Sequence, residues 1–320
     1  MEQIDYTLLY RIAKNYYIDG MTQKEIAKRE NISRPHVSRM LAKARATGIV
    51  YVEIRMPEQT DVALLQDALQ QKLGLCDVYV ASCPGDKKVN AREQSLSIAA
   101  TAAAIMPDLL RNARTVGVGW GYTVYQTALL LERAASAKPL NFVPLVGLSG
   151  ENNPYLQINV IVNRFAEKYN AQSFYTIMPV IRENQMKMRK TEQESYLRLR
   201  QQWEQMDAAV IGLGSSPKSG TKLVSEASTE YHERVAESGT VGDILANFFY
   251  EDGHCFDTSD FYQHIALTPS ELTRVKTVIC LSGGIEKVPG IIAGARNRFF
   301  NVLVTDSLTA QQILDYPDDN

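Results

Sequence analysis

Apolar residues over the first fifty positions recur every three or four residues, the spacing that lays them along one side of a helix. Leu8, Leu9, Ile12, Ala13 and Tyr16 make one stripe, closed by the turn Asp19-Gly20. Ile26 and Ala27 mark a shorter second helix; Val37, Met40, Leu41 and Ala44 mark a third. Local chemistry agrees with these limits. Thr22 and Glu25 have capping-box spacing, so a helix can start there with two of its orphan amides satisfied. Asn31-Ile32-Ser33 breaks the pattern, Ser33 is a good N-cap, and Pro35 falls in the first turn, where its missing N–H costs little. Gly48 is placed to end the third helix. The β-branched run Ile49 to Met56 then reads as a strand, in the place of a small wing.

Pro57 to Thr60 is the expected boundary. Val62, Leu65, Leu69 and Leu73 follow on one helix face that ends at Gly74, fit to pack on a second domain or on another subunit. From there apolar strands alternate with helices, which predicts an α/β domain with a mostly parallel sheet. The strands are expected at Asp77–Ala81, Thr115–Val118, Asn141–Val146, Ser173–Pro179, Ala208–Gly212, Thr277–Leu281 and Asn301–Thr305. Helices are expected at Asn90–Met106, Val124–Ala135, Tyr155–Lys168, Thr191–Met206, Gly290–Arg298 and Thr309–Leu314. The organisation is thus an all-α helix-turn-helix unit over 1–56, a linker over 57–61 and a large α/β domain over 62–320.

Charge changes the reading of the first unit. The 320-residue chain is slightly acidic, at −2, yet Lys24, Lys28, Arg29, Arg34, Arg39, Lys43 and Arg45 oppose only Glu25 and Glu30 between Met21 and Val50. With the apolar stripe of the third helix turned inward, His36, Arg39, Ala42 and Lys43 point outward, with Arg34 and Ser38 on the flank. Such a helix fits the major groove, where Arg can bind guanine bidentately and His and Ser can hydrogen-bond base edges. Thr22, Arg34, His36, Ser38, Arg39 and Lys43 are therefore the candidate DNA contacts. A plain core of amphipathic helices accounts for any one of these charges, but not for cap, turn, basic face and strand together.

Composition excludes several classes. Hydrophobic content of 45% and charge of 22% are those of an ordinary globular protein. Cys76, Cys83, Cys255 and Cys280 form no CxxC pair, which points to reduced thiols and a cytoplasmic location. No apolar run reaches membrane length and the N-terminus lacks an apolar signal core, so no membrane partner is expected. His232, His254 and His264 lack metal-ligand spacing, and no Ser-His-Asp arrangement stands out. No metal, cofactor or catalytic residue is assigned. The mixed charges of Arg182 to Arg200 suit a solvated helix face or a cover near the pocket.

Open α/β sheets bind ligands at the carboxyl ends of their strands. After Thr115–Val118 comes Gly119-Trp120-Gly121-Tyr122-Thr123 and a helix, where glycines admit an anion to backbone amides and Thr123 adds a hydroxyl. After Thr277–Leu281 comes Ser282-Gly283-Gly284, then Glu286-Lys287, with Lys287 a point charge for a phosphate. Leu213-Gly214-Ser215-Ser216 follows Ala208–Gly212, and Val241-Gly242-Asp243-Ile244 sets a carboxylate beside a glycine turn, suited to sugar hydroxyls.

Both halves resemble the SorC family of bacterial sugar-binding transcriptional regulators. The resemblance rests on YYIDGMTQKEIAKRENISRPHVSRMLAKARATGIV in front, and on TVGVGWGYTV, AAVIGLG, VGDILANFFYEDG and LSGGIEKVPGIIAGARNRFFNVLVTD behind, in the family's order. It implies an effector domain similar to glucosamine-6-phosphate deaminase and ribose-5-phosphate isomerase. It also implies dimers or tetramers that bind a pseudo-palindromic operator, with a phosphorylated sugar as the usual inducer. Carried over by motif, Gly119, Gly121 and Thr123 would cradle phosphate or sugar, and Asp243 would bind hydroxyls. Lys287, after Gly283 and Gly284, would approach the phosphate, and Asp306 would face the pocket from the last strand. Trp120 and Tyr122 depart from the expected pattern, being bulky in a phosphate loop; they could stack on a sugar ring or narrow the pocket. The expectation is a regulator of a carbohydrate-utilisation operon controlled by a sugar or sugar phosphate. The competing expectations are an isomerase- or deaminase-like enzyme carrying a DNA-binding unit, and a sugar-independent DNA-binding protein whose large domain only oligomerises.

Overall fold

The structure is a computed structural model that describes residues 5–47, 49–50, 59–82, 90–133, 139–150, 153–183, 187–217 and 227–317. The chain divides into two compact units, Met1–Pro57 and Glu58–Asn320. The C-cap expected at Gly48, the strand beyond Val50, the boundary at Pro57 and Cys83 all lie outside the described residues.

In the first unit α1 (Tyr6–Tyr17), α2 (Gln23–Arg29) and α3 (Arg34–Ala46) enclose a small core. Ile12, Ile26, Val37 and Leu41 are buried together, and Leu9, Ala13 and Ala44 form a second cluster. The capping box holds α2 in place: the Glu25 amide donates to Thr22 Oγ1 at 3.3 Å, and the Thr22 amide donates to Glu25 Oε2 at 2.8 Å. Asn31 takes φ +52° in the turn, a conformation Asn tolerates better than most residues. Ser33 Oγ accepts from the His36 amide at 3.3 Å and starts α3.

The second unit opens with α4 (Gln59–Leu73), β1 (Asp77–Ala81), α5 (Ala91–Leu109), β2 (Thr115–Val118), α6 (Tyr122–Leu130) and β3 (Asn141–Pro144). Then come α7 (Ile158–Tyr169), β4 (Gln172–Ser173), β5 (Ile181–Glu183), α8 (Lys190–Glu204), β6 (Ala208–Gly212) and β7 (Gly214–Ser215). After α9 (Thr229–Glu237), β8 (Gly242–Ile244), β9 (Asn247–Phe249) and β10 (Tyr262–His264) follow α10 (Pro269–Leu272), β11 (Thr277–Leu281), α11 (Val288–Arg296), β12 (Val302–Asp306) and α12 (Ser307–Asp315). The main sheet runs β1-β12-β11-β6-β2-β3-β4, with every pairing parallel. Its central strands β2, β6, β11 and β12 are almost wholly buried, as a parallel sheet between helical layers requires. Two antiparallel additions, β7-β8-β9 and β5-β10, sit outside it.

The strand order has a switch point. From β2 the chain proceeds outward through β3 and β4; from β6 it proceeds the other way through β11 and β12. The crevice between β2 and β6 is where such sheets accept ligands.

Three departures from the sequence expectation have physical causes. The strand expected over Ser173–Pro179 stops at Ser173, because the chain leaves β3 to pair with another loop: the Leu148 amide donates to Met178 O and the Val180 amide to Leu148 O. Asp243 lies in a strand, β8, not in a glycine turn; the turn is Leu245-Ala246, with φ of +55° and +62°. Helix α9 was not expected, since polar residues interrupt its buried side of Tyr231, His232 and Val235. No helix among the described residues is long and apolar enough to cross a membrane.

Candidate functional site

On α3, Arg34, Ser38, Arg39 and Lys43 are exposed and His36 is half-buried, as the inward stripe dictates. Thr22 is exposed at the start of α2, but its hydroxyl and amide are both engaged with Glu25. Both acids of the region are occupied locally. Thr22's backbone and hydroxyl hold the Glu25 carboxyl below its usual range, and Glu30 pairs with Arg11 at 2.7 Å. Arg34, Arg39 and Lys43 form no ion pair among the described residues, so their charge is available to phosphate. Arg45 differs from its basic neighbours. Its Nε donates to Tyr17 Oη at 2.7 Å and its guanidinium lies over that ring, so it braces α3 on α1.

In the second unit a cavity of about 230 Å³ opens at the switch point. Of the residues singled out from the sequence, Trp120, Gly121, Tyr122, Thr123, Leu213, Gly214, Asp243 and Lys287 line it. One wall is the start of α6. Gly121 has φ +121°, its amide donates to Tyr155 O at 2.9 Å, and no side chain caps the helix. The positive end of a nine-residue helix is therefore presented to the cavity. Tyr122 is held edge-on to Tyr155, with ring centroids 5.8 Å apart.

The opposite wall is the β8–β9 hairpin. Asp243 pairs in register with Phe248, so both side chains face the same way, into the cavity. Burial pushes the Asp243 carboxyl up to about 6, against the opposing pull of the Ala246 amide and the charge of Lys287. The left-handed turn aims that amide. Two non-glycine residues at positive φ are costly, and Asn247 Nδ2 secures them by donating to Ile244 O, Leu245 O and Leu267 O at 3.1, 3.1 and 3.2 Å. Gly214 is required here, because a Cβ would run into the Asp243 carboxylate.

The other expected residues act one layer out. The Gly119 amide donates to Val210 O at 2.8 Å, and a Cβ there would meet Leu245 at 2.8 Å, so Gly119 admits the hairpin. The Gly284 amide donates to Thr309 Oγ1 at 2.7 Å, and that hydroxyl donates to Asp306 Oδ2 at 2.6 Å. Asp306 is fully buried and also accepts from the Leu308 and Thr309 amides at 3.0 Å each, capping α12. Asp306, Gly283 and Gly284 are thus not among the cavity's lining; they fix the turn from which Lys287 reaches it. Sequence reasoning missed Leu245, Ala246 and Phe248. The signal for Phe248 was its place across a hairpin from Asp243, legible only once β8 is recognised as a strand.

A carboxylate, an ammonium close enough to feel its charge and a helix N-terminus, all lining one cavity, can hold a polar molecule that carries both hydroxyls and negative charge. Similarity to known proteins points the same way. A model of the Sugar-bind family, a sugar-binding domain, matches residues 58–315. The sorbitol operon regulator of Klebsiella pneumoniae is 27% identical over 314 residues, covering 97% of this chain and 98% of that one. The deoxyribonucleoside regulator of Bacillus subtilis is 25% identical over 316 residues, covering 98% of this chain and 99% of that one. The crystal structure of full-length SorC from Klebsiella pneumoniae superposes with a TM-score of 0.73 at 26% identity, covering 98% of this chain and all of that one.

Proposed function

The chain belongs to the SorC family of sugar-binding transcriptional regulators, and from that premise we propose that it regulates a carbohydrate operon through a sugar phosphate held between α6 and the β8–β9 hairpin. In this reading the first unit binds a pseudo-palindromic operator in the cytoplasm as a symmetric dimer or tetramer. Arg39, with Arg34, His36, Ser38 and Lys43, addresses base edges and phosphates. The free amides of α6 and the Lys287 ammonium take the phosphate; Asp243 accepts from sugar hydroxyls. The effector controls DNA binding only by the difference in its affinity for the two states of the protein.

The observation that carries the reading is that a helix N-terminus without a side-chain cap, a lysine and a carboxylate line a single cavity. The same lining argues for binding rather than turnover. Among the described residues Asp243 is its one carboxylate and no histidine lines it, whereas sugar isomerisation calls for a base and a second proton-transferring group. Calorimetric titration with sugars and their phosphate esters tests this. The wild type should bind one phosphate ester, and Lys287→Ala should weaken it by about 1.5–3 kcal/mol while changing the unphosphorylated sugar little. Equal weakening of both ligands would remove Lys287 from the anion site.

A further inference from the structure

Helix α7 buries Ile161, Val162, Phe165 and Tyr169 and leaves its other side open. That side lies near β4, the last strand of the sheet. Large apolar groups stand exposed there: Val160 at 42%, Tyr175 at 54% and Ile177 at 65%. Among them is a hollow of about 280 Å³ containing Arg164 and Glu167. Its polar side chains are linked to one another. Tyr175 Oη donates to Asn163 Oδ1 at 2.7 Å, and Asn163 Nδ2 donates to Glu167 Oε1 at 2.7 Å. Arg164 is the exception. Its Nε is buried without an acceptor, and no carboxylate among the described residues pairs with its guanidinium. Its guanidinium thus keeps a positive charge that a carboxylate from another chain can pair with.

We propose that this face is where two copies of the chain meet about a two-fold axis, Arg164 of each copy pairing with Glu167 of the other. A two-fold contact sets a patch against itself, so every charge must find its opposite within the same patch. Positions 164 and 167 lie about one turn apart on α7. Two antiparallel α7 helices centred between them bring both pairs together at once. Val160, Tyr175 and Ile177 supply the apolar cover that a lasting contact needs. The proposal rests on reading the chain as a symmetric oligomer, and on nothing in the effector cavity.

Sedimentation velocity of the full chain, without DNA or sugar, tests it. Arg164→Glu and Glu167→Arg should each raise the dissociation constant of the pair by about tenfold or more, and the double reversal Arg164→Glu with Glu167→Arg should restore it. Ile177→Glu, at an exposed position, should weaken association in the same way with the fold intact by circular dichroism. Single reversals that sediment as the wild type would overturn the proposal, as would a folded double variant as dissociated as the singles or an Ile177→Glu variant that associates normally. A wild type that is monomeric at every concentration would overturn the oligomer reading as well; association that survives the variants removes this face alone.

Discussion

A carboxylate in apolar surroundings gives up its proton reluctantly, and Asp243 is held at about 6 for that reason. The native state therefore binds a proton that the unfolded chain has released, once pH exceeds the ordinary Asp value of about 3.9. The stability tied to protonated Asp243 is present below that value and is lost as pH rises through about 6. Asp243→Asn should accordingly raise the melting temperature at pH 7.5, by an amount corresponding to about 1–2 kcal/mol after allowance for screening, and the gain should shrink by pH 5. Ligand affinity should move the opposite way. If ionised Asp243 accepts from sugar hydroxyls, wild-type affinity falls as pH drops through about 6, while the Asn variant is weak and flat across that range. A wild-type profile as flat as the variant's would separate Asp243 from the ligand. Asp306 makes a contrasting case: a carboxylate just as suggestive in the sequence, fully buried, with its oxygens occupied by α12 and Thr309.

At the scale of elements, what could be read from the sequence was what periodicity and capping encode. β1, β2, β6 and β11 fall at their expected limits because a buried parallel strand is a short apolar run between turn residues. The caps of α2 and α3 follow from Thr22, Glu25 and Ser33 alone. The β8–β9 hairpin escaped because its turn is Leu245-Ala246, without the Asn or Gly that signals such a turn. Tertiary packing, with Gly119 making room for Leu245 and Asn247 gripping three carbonyls, imposes the left-handed backbone instead. Ala246→Gly should relieve that strain and stabilise the fold by about 1 kcal/mol in chemical denaturation; a loss of stability would mean the Ala246 side chain matters more than its backbone. On α3, Arg39→Ala should cost about 1–3 kcal/mol of operator binding and relax discrimination against random DNA. Unchanged discrimination would confine Arg39 to phosphate contact. Arg45→Ala should instead lower the stability of the first unit, because Arg45 is spent on Tyr17.

Across the whole molecule, two surfaces of opposite character share one chain of nearly neutral charge. A basic helix is built on a core small enough that its caps matter, and a cavity with a few polar groups in a largely apolar lining is set at the switch point of a seven-stranded sheet. The division of labour suits a regulator: the larger unit carries the cavity, and the short helices of the first unit present the charges. The cavity can govern DNA binding only if ligand and operator favour different states of the same protein, which makes their linkage the decisive quantity. It is read most directly by fluorescence anisotropy of the protein on DNA from upstream of its own gene cluster, titrated with sugar phosphates, for the wild type and Lys287→Ala side by side. Specific binding that one sugar phosphate shifts in the wild type, with the shift diminished in Lys287→Ala and effector-free binding unchanged, is the expected result. Specific binding that no sugar phosphate alters, or that responds identically in both proteins, would contradict control through this cavity.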